Sequence, residues 1–596
     1  MQVKNSTLAL LSAIALTACG QETEAPAPDT AIDSDASLNA VAQLTALADD
    51  MWADQVENST YLRLQEGLPI KKFEDLTLEQ HHESIRRMAG FRARIEEIDP
   101  SKLSGDDLTT YEILKFEARD KGTNDDDYWL NFDITSYQAP YLFQFARQAL
   151  ATTPVTNEAE ADHYLTLAGE LADTVDQLND KVAGQVERGI YLAKPALSTV
   201  RATWEGIQVA IPADVRVAKE RLELLPDDER AAFEEELEKI IADRIVAGLG
   251  ELIAAIGEDY EASAPETVGL GQYPGGAEVY ARAIETQSTL GLTPQQIHDR
   301  GIEAVNEIAD RMAQVRTQLE FDGSARDFID EVAFDPRFIA DSPDEVESIF
   351  LEHIRRIEPK LDAYFKTQPE AGYGVRRLPP AAEPGMTYGY YNPPTAADPV
   401  GYYNYNGSNL EIKSLLWSGH LIYHELLPGH HFHIATQGEN KALHDYRQKY
   451  SVSAYTEGWA EYASSLGIEM GMYENPYDLY GRYLGEIFLA TRLVVDTGMN
   501  ALGWSLEEAR EYMAKYVVQS EQEIASETLR YATSIPAQAL AYRLGYEKHW
   551  ELRKRAEEKL GGDFDIREYH EVVLSDGAMP LPVLEAKVDR WIESQL

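Results

Sequence analysis

The chain has 596 residues, and 44% of them are hydrophobic, enough for a large buried core. Asp and Glu outnumber Lys and Arg by 102 to 53, for a net charge of -49. That balance excludes a nucleic-acid binder, which needs a basic face to neutralise phosphates, and fits an acidic solvated surface.

The first eighteen residues read as a targeting segment. Lys4 gives a short positive region, and the apolar run from Leu8 to Leu16 is too short to be a good membrane span. Leu16-Thr17-Ala18-Cys19 resembles the lipobox of bacterial lipoproteins. The resemblance implies cleavage before Cys19 and lipidation of its sulfur. Gly20, where Asp would imply retention at the inner membrane, favours the outer membrane. The expected location is the cell envelope, facing the periplasm and touching the membrane through the lipid only. Cys19 is the only cysteine, so no intrachain disulfide is possible. Residues 19–38 are rich in Ala, Pro, Asp, Glu and Thr and read as a flexible tether after the lipidated cysteine.

From residue 39 to 596 the pattern is one large, mainly α-helical body with few strand signals. Thr293-Pro294-Gln295-Gln296 has a Thr cap, Pro at the first helical position and Gln at the third, and predicts a helix start. Ile302, Val305, Ile308, Met312 and Val315 then recur at helical spacing. Similar stripes occupy 159–188, 229–256, 344–365 and 507–518, while 59–69 and 322–343 read as connections. The main break is 377–407, where paired prolines and Tyr388, Tyr390, Tyr391, Tyr402, Tyr403 and Tyr405 suit short strands and turns. A strand there can hold a peptide by edge pairing, with Tyr403 and Asn404 as substrate contacts.

Six of the thirteen histidines, His420, His424, His430, His431, His433 and His444, fall within 25 residues. Glu425 follows His424. Neutral imidazole is the commonest side-chain ligand for zinc, and a neighbouring carboxylate can act as base. In the zinc-peptidase spacing His-Glu-x-x-His, the second imidazole lies one helical turn on. Here that position is Pro428, and the next histidines come six and seven residues after His424. A helix expected to start near Ile412 therefore needs a bulge at Pro428-Gly429 to return His430 to the first imidazole. Pairing His424 with His431, or a pair using His420, stays open. The third ligand is expected in Glu457-Gly458-Trp459-Ala460-Glu461, whose two glutamates share a helix face. One can ligate while the other orients an imidazole.

His-Glu-x-x-Pro-Gly-His-His followed by Glu-Gly-Trp-Ala resembles the bacterial family called domain of unknown function 885. That family is in turn similar to the zincin-like gluzincin metallopeptidases, including the thimet oligopeptidase and carboxypeptidase Taq groups. The match extends through Arg530-Tyr531 and 536–545. The resemblance implies a deep cleft, one Zn2+ held by His424, His430 and Glu457, and Glu425 as general base. His431, Glu461, His433 and His420 are then alternative or supporting groups. Tyr531 or Tyr542 is expected to stabilise the oxyanion. Arg530 or Arg543 is expected to clamp a substrate carboxylate in a two-pronged contact, and Gln538 to contact substrate. Two positions depart from the family pattern: His433 replaces its usual Gln, and Ala537 its usual Gly. The expected activity is hydrolysis of short peptides by a metal-activated water. A metal-dependent hydrolase of another amide or ester, or a non-catalytic metal-binding lipoprotein, is the alternative.

Overall fold

The computed structural model describes residues 34–596 apart from 381–382, 384–388 and 396–397. The targeting segment, Cys19, most of the tether and Tyr388 lie outside the described residues. The first helix, α1 (Ser34–Glu57), begins within the stretch read as tether.

The body is mainly α-helical, as its sequence periodicity predicts. One apolar core is drawn from residues between Ile70 and Ala264, around α2 (Gln138–Thr152) and α3 (Glu158–Glu187). A second core joins α1 to the C-terminal half through Leu44, Phe350, Tyr403, Trp459, Val573 and Leu584. The predicted start at Thr293 is a capping box opening α4 (Pro294–Gln318), with Val305, Ile308, Met312 and Val315 buried. Ile302 instead lies on the outer face; Gly301 takes the inward position, against Leu493 and Val494.

The two expected connections both contain helices. Ser59 accepts from Leu62 N at 3.2 Å and caps Thr60–Gln65. Ser324 and Asp327 form a capping box for Ala325–Ala333, which buries Phe328, Ile329 and Val332. Local caps and a few apolar anchors suffice for such short helices.

The break at 377–407 is a three-stranded sheet of β1 (Gly372–Arg377), β2 (Gly389–Asn392) and β3 (Val400–Tyr405), in the order β1-β3-β2. β1 runs parallel to β3, and β2 antiparallel. Tyr403 and Tyr405 point inward onto Phe350 of α5 (Pro343–Ile357), with ring centroids 5.8 and 5.7 Å away. The Tyr391 hydroxyl of β2 meets His431 Nδ1 at 2.9 Å, which sets the sheet beside α7 (His430–Glu439), the helix that follows α6 (Ser418–Glu425).

Three long helices complete the frame: α8 (Ser453–Glu469), α9 (Pro476–Ala501) and, after α10 (Glu521–Thr533), α11 (Leu540–Leu560). α8 and α11 cross where Gly458 meets Gly545; a Cβ on Gly458 would lie 2.5 Å from the Gly545 backbone. α9 is buried on all sides from Tyr480 to Asn500, the pattern of a central helix. Among the described residues, no helix is long and apolar enough to cross a membrane.

Candidate metal centre

The histidine stretch is two helices joined by a tight linker. Ile412 belongs to a short 3-10 turn, and α6 starts only at Ser418. It ends at Glu425, where Leu426 leaves helical geometry (φ -113°, ψ -92°). A cis Leu427–Pro428 peptide and Gly429 turn the chain, and α7 opens at His430. The expected bulge inside one helix is therefore a complete break. Gly429 is required there, since a Cβ would lie 1.7 Å from the His424 carbonyl oxygen. Trp459 of α8 donates its indole N–H to the Pro428 carbonyl at 3.0 Å, tying the two sequence motifs together.

This turn brings His424, His430 and Glu457 together, with one ligand atom of each within 4.8 Å of the others. Glu457 Oε2 lies 3.4 Å from His424 Nε2 and 3.3 Å from His430 Nε2. Neither contact is aligned as a hydrogen bond, and Glu457 Oε2 is buried without a hydrogen-bond partner. Ligands held at 2.0–2.1 Å around a tetrahedral zinc are separated by about 3.4 Å. The residues thus fit a divalent cation at their common point better than they fit one another.

Behind the trio, Glu461 Oε1 accepts from His424 Nδ1 at 2.7 Å. That bond keeps a proton on Nδ1, so Nε2, which faces Glu457, is the nitrogen that a cation would take once it displaces the second proton. Burial opposes a charge on His424, but Glu457 and Glu461 outweigh it and raise its pKa to about 10. Desolvation likewise works against ionised Glu457, yet the two imidazoles hold its carboxyl well below the usual range. Glu425 is pushed up by burial, and the flanking imidazoles only partly offset this.

The other histidines are engaged elsewhere or set apart. His431 pairs Nδ1 with the Tyr391 hydroxyl at 2.9 Å and Nε2 with the Ala371 carbonyl at 3.2 Å, so neither nitrogen is left for a metal. His420 Nδ1 takes a bond from Arg482 at 3.0 Å, and its Nε2 lies 3.4 Å from Glu461. This rules out a ligand pair built on His420. His433 is buried with neither nitrogen hydrogen-bonded and stands outside the trio.

Tyr542 and Tyr531 are separated by their partners. Tyr542 stacks on His424, with ring planes 15° apart and centroids 6.2 Å apart. The Tyr531 hydroxyl donates to Glu527, which removes it as an oxyanion donor. Arg543 is committed to Glu486 and Glu547, each at 2.8 Å, and so does not form the expected substrate clamp. Asn404 is likewise used inside the sheet, donating to the Tyr390 and Tyr402 carbonyls and accepting from Arg376. Tyr403 is buried against Phe350 rather than open to a ligand. Gln538 keeps a buried side-chain oxygen without a partner, and Arg530 pairs with Glu527 at 2.8 Å.

Sequence reasoning missed Arg482. It lies 3.8 Å from Glu461 and 3.9 Å from Glu486, and is fully buried. The signal was available: two opposite charges four residues apart within residues 479–490 of α9, where every other residue is uncharged.

The chain matches the family model described as "Bacterial protein of unknown function (DUF885)" over residues 57–588, and it belongs to that family. Two solved structures share its fold. One is described as "the putative lipoprotein from Colwellia psychrerythraea": TM-score 0.80, 23% identity, covering 94% of this chain and 99% of that one. The other is described as "a putative lipoprotein of unknown function from Shewanella oneidensis": TM-score 0.70, 17% identity, covering 92% and 99%. No curated protein matches.

Proposed function

We propose that this protein is a zinc-dependent hydrolase of peptide bonds, acting on short peptides in the cell envelope through a gluzincin-like site. One observation carries the reading: a buried, unpartnered carboxylate oxygen lies 3.4 and 3.3 Å from two imidazole nitrogens, all three ligand atoms fall within 4.8 Å of one another, and Glu425 is next in sequence to one of them.

His424 Nε2, His430 Nε2 and Glu457 Oε2 would hold the ion. When bound, zinc supplies a Lewis acid and brings the pKa of a water molecule to around 7. Glu425 takes a proton from the attacking water and delivers it to the leaving amine, a task suited to a carboxyl with a raised pKa. Tyr542, stacked beside His424, offers a hydroxyl to the developing oxyanion. Glu461 keeps His424 in the tautomer that presents Nε2. The lipobox-like segment and the description of both structural neighbours as putative lipoproteins support a lipid on Cys19 and an outer-membrane site facing the periplasm.

The test is Glu425→Gln. The variant is expected to keep one zinc per chain by elemental analysis and to lose peptide turnover by at least about a hundredfold. A variant that cleaves a peptide panel at the wild-type rate would end this mechanism.

A further inference from the structure

Beyond Tyr542 lies a cationic cluster that the proposed chemistry does not use. Arg492 of α9 and Arg530 of α10 both donate to Glu527 Oε2, at 3.2 and 2.8 Å. The Tyr531 hydroxyl donates to the same oxygen. Two guanidinium groups thus share one carboxylate, leaving a surplus positive charge. Arg492 is only 7% exposed. Its Nε and that of Arg530 are both buried without a partner. Leaving guanidinium donors buried and unmatched is costly, so such a group marks a place where an anion completes the structure. The requirement is sharper in a chain of net charge -49, whose overall field repels anionic ligands.

The cluster is also placed to matter. Arg492 sits over the Tyr542 ring, 5.1 Å from its centroid, and the same ring stacks on the His424 imidazole at 6.2 Å.

We propose that Arg492 and Arg530 bind the terminal carboxylate of a peptide, so that the protein removes short fragments from carboxyl ends. This rests on the peptidase reading and adds the substrate class. One ring separates Arg492 from His424, a span of no more than about three extended residues at roughly 3.5 Å each. The reaction consumes one water. Its oxygen bonds to the scissile carbonyl carbon, the C–N bond breaks, and a proton goes to the amine of the released fragment. A guanidinium meets a carboxylate with paired, charge-assisted bonds that an amide cannot reproduce.

The experiment uses one short peptide as its free acid and as its carboxyl-terminal amide, with the zinc-loaded full chain. The free acid is expected to have a kcat/KM higher by about tenfold or more, chiefly through KM, with release of a C-terminal fragment seen by mass spectrometry. Arg492→Lys and Arg530→Gln should each bring the acid-to-amide ratio toward one. Arg530 is the less buried, so it carries the test if Arg492→Lys fails to fold. Binding of both peptides to zinc-loaded Glu425→Gln gives a readout independent of turnover. Preferential binding of the acid without cleavage by the wild type would retain the carboxylate site and remove the peptidase reading. Equal cleavage, or equal binding, of acid and amide would overturn the carboxylate site and leave the peptidase reading standing.

Discussion

At the scale of single residues, the candidate centre depends on which atom of each side chain is free. Glu457 and Glu461 are both glutamates on one face of α8, yet they have different tasks. Glu457 Oε2 has no hydrogen-bond partner, while Glu461 Oε1 accepts from His424 at 2.7 Å and lies 3.4 Å from His420. Glu461→Gln keeps the shape and removes the charge that fixes the His424 tautomer. Zinc affinity, measured by competition with a chromophoric chelator, should fall about 10- to 100-fold. Unchanged affinity would show that His424 is oriented by packing alone. Ala537 shows another balance. It has φ 69°, where a Cβ costs roughly 1–2 kcal/mol, but that methyl is wholly buried, which returns roughly 0.8 kcal/mol. Relative to the Gly expected there from the sequence resemblance, Ala carries a net cost of about 1 kcal/mol or less.

At the scale of elements, the crossing of α8 and α11 sets the distance between Glu457 and Tyr542. Gly458 and Gly545 let the two backbones touch; a Cβ on Gly545 would lie 2.0 Å from the Ala454 carbonyl oxygen. Gly458→Ala must push the helices apart. It should lower the unfolding midpoint in denaturant by an amount equivalent to roughly 1–3 kcal/mol, and weaken zinc binding with it. A variant as stable as the wild type would mean that the crossing yields without strain. How much of this was readable from sequence differed by element. The stripe behind Thr293 and the glutamate pair at 457 and 461 follow helical spacing, and spacing survives in a sequence. At Pro428-Gly429 the residues signalled a departure but not its extent: a full break, with Trp459 of another helix bonded to the Pro428 carbonyl, is a tertiary arrangement that spacing does not record. Arg492 was passed over for the same reason: its role comes from α9 being enclosed by neighbours that no local pattern shows, whereas Arg482 had a local signal in Glu486 one turn on.

For the whole molecule, surplus charge is the dominant feature. Acidic residues exceed basic ones by 49, and many of the ion pairs are at the surface, where each contributes little. Self-repulsion should therefore govern the response to salt. Raising ionic strength from about 0.01 to 0.15 M shortens the screening length from roughly 30 to 8 Å. The thermal midpoint, followed by circular dichroism, should rise across that range. A fall would show that the ion pairs outweigh the repulsion.

The enclosure of α9 has one more consequence. A helix covered on every side cannot persist until the segments before and after it have closed around it. Both Arg482, which steadies Glu461, and Arg492, which faces Tyr542, ride on that helix. A chain still emerging from the ribosome holds these groups apart, so the candidate metal centre is completed only once the segments on both sides of α9 have been made.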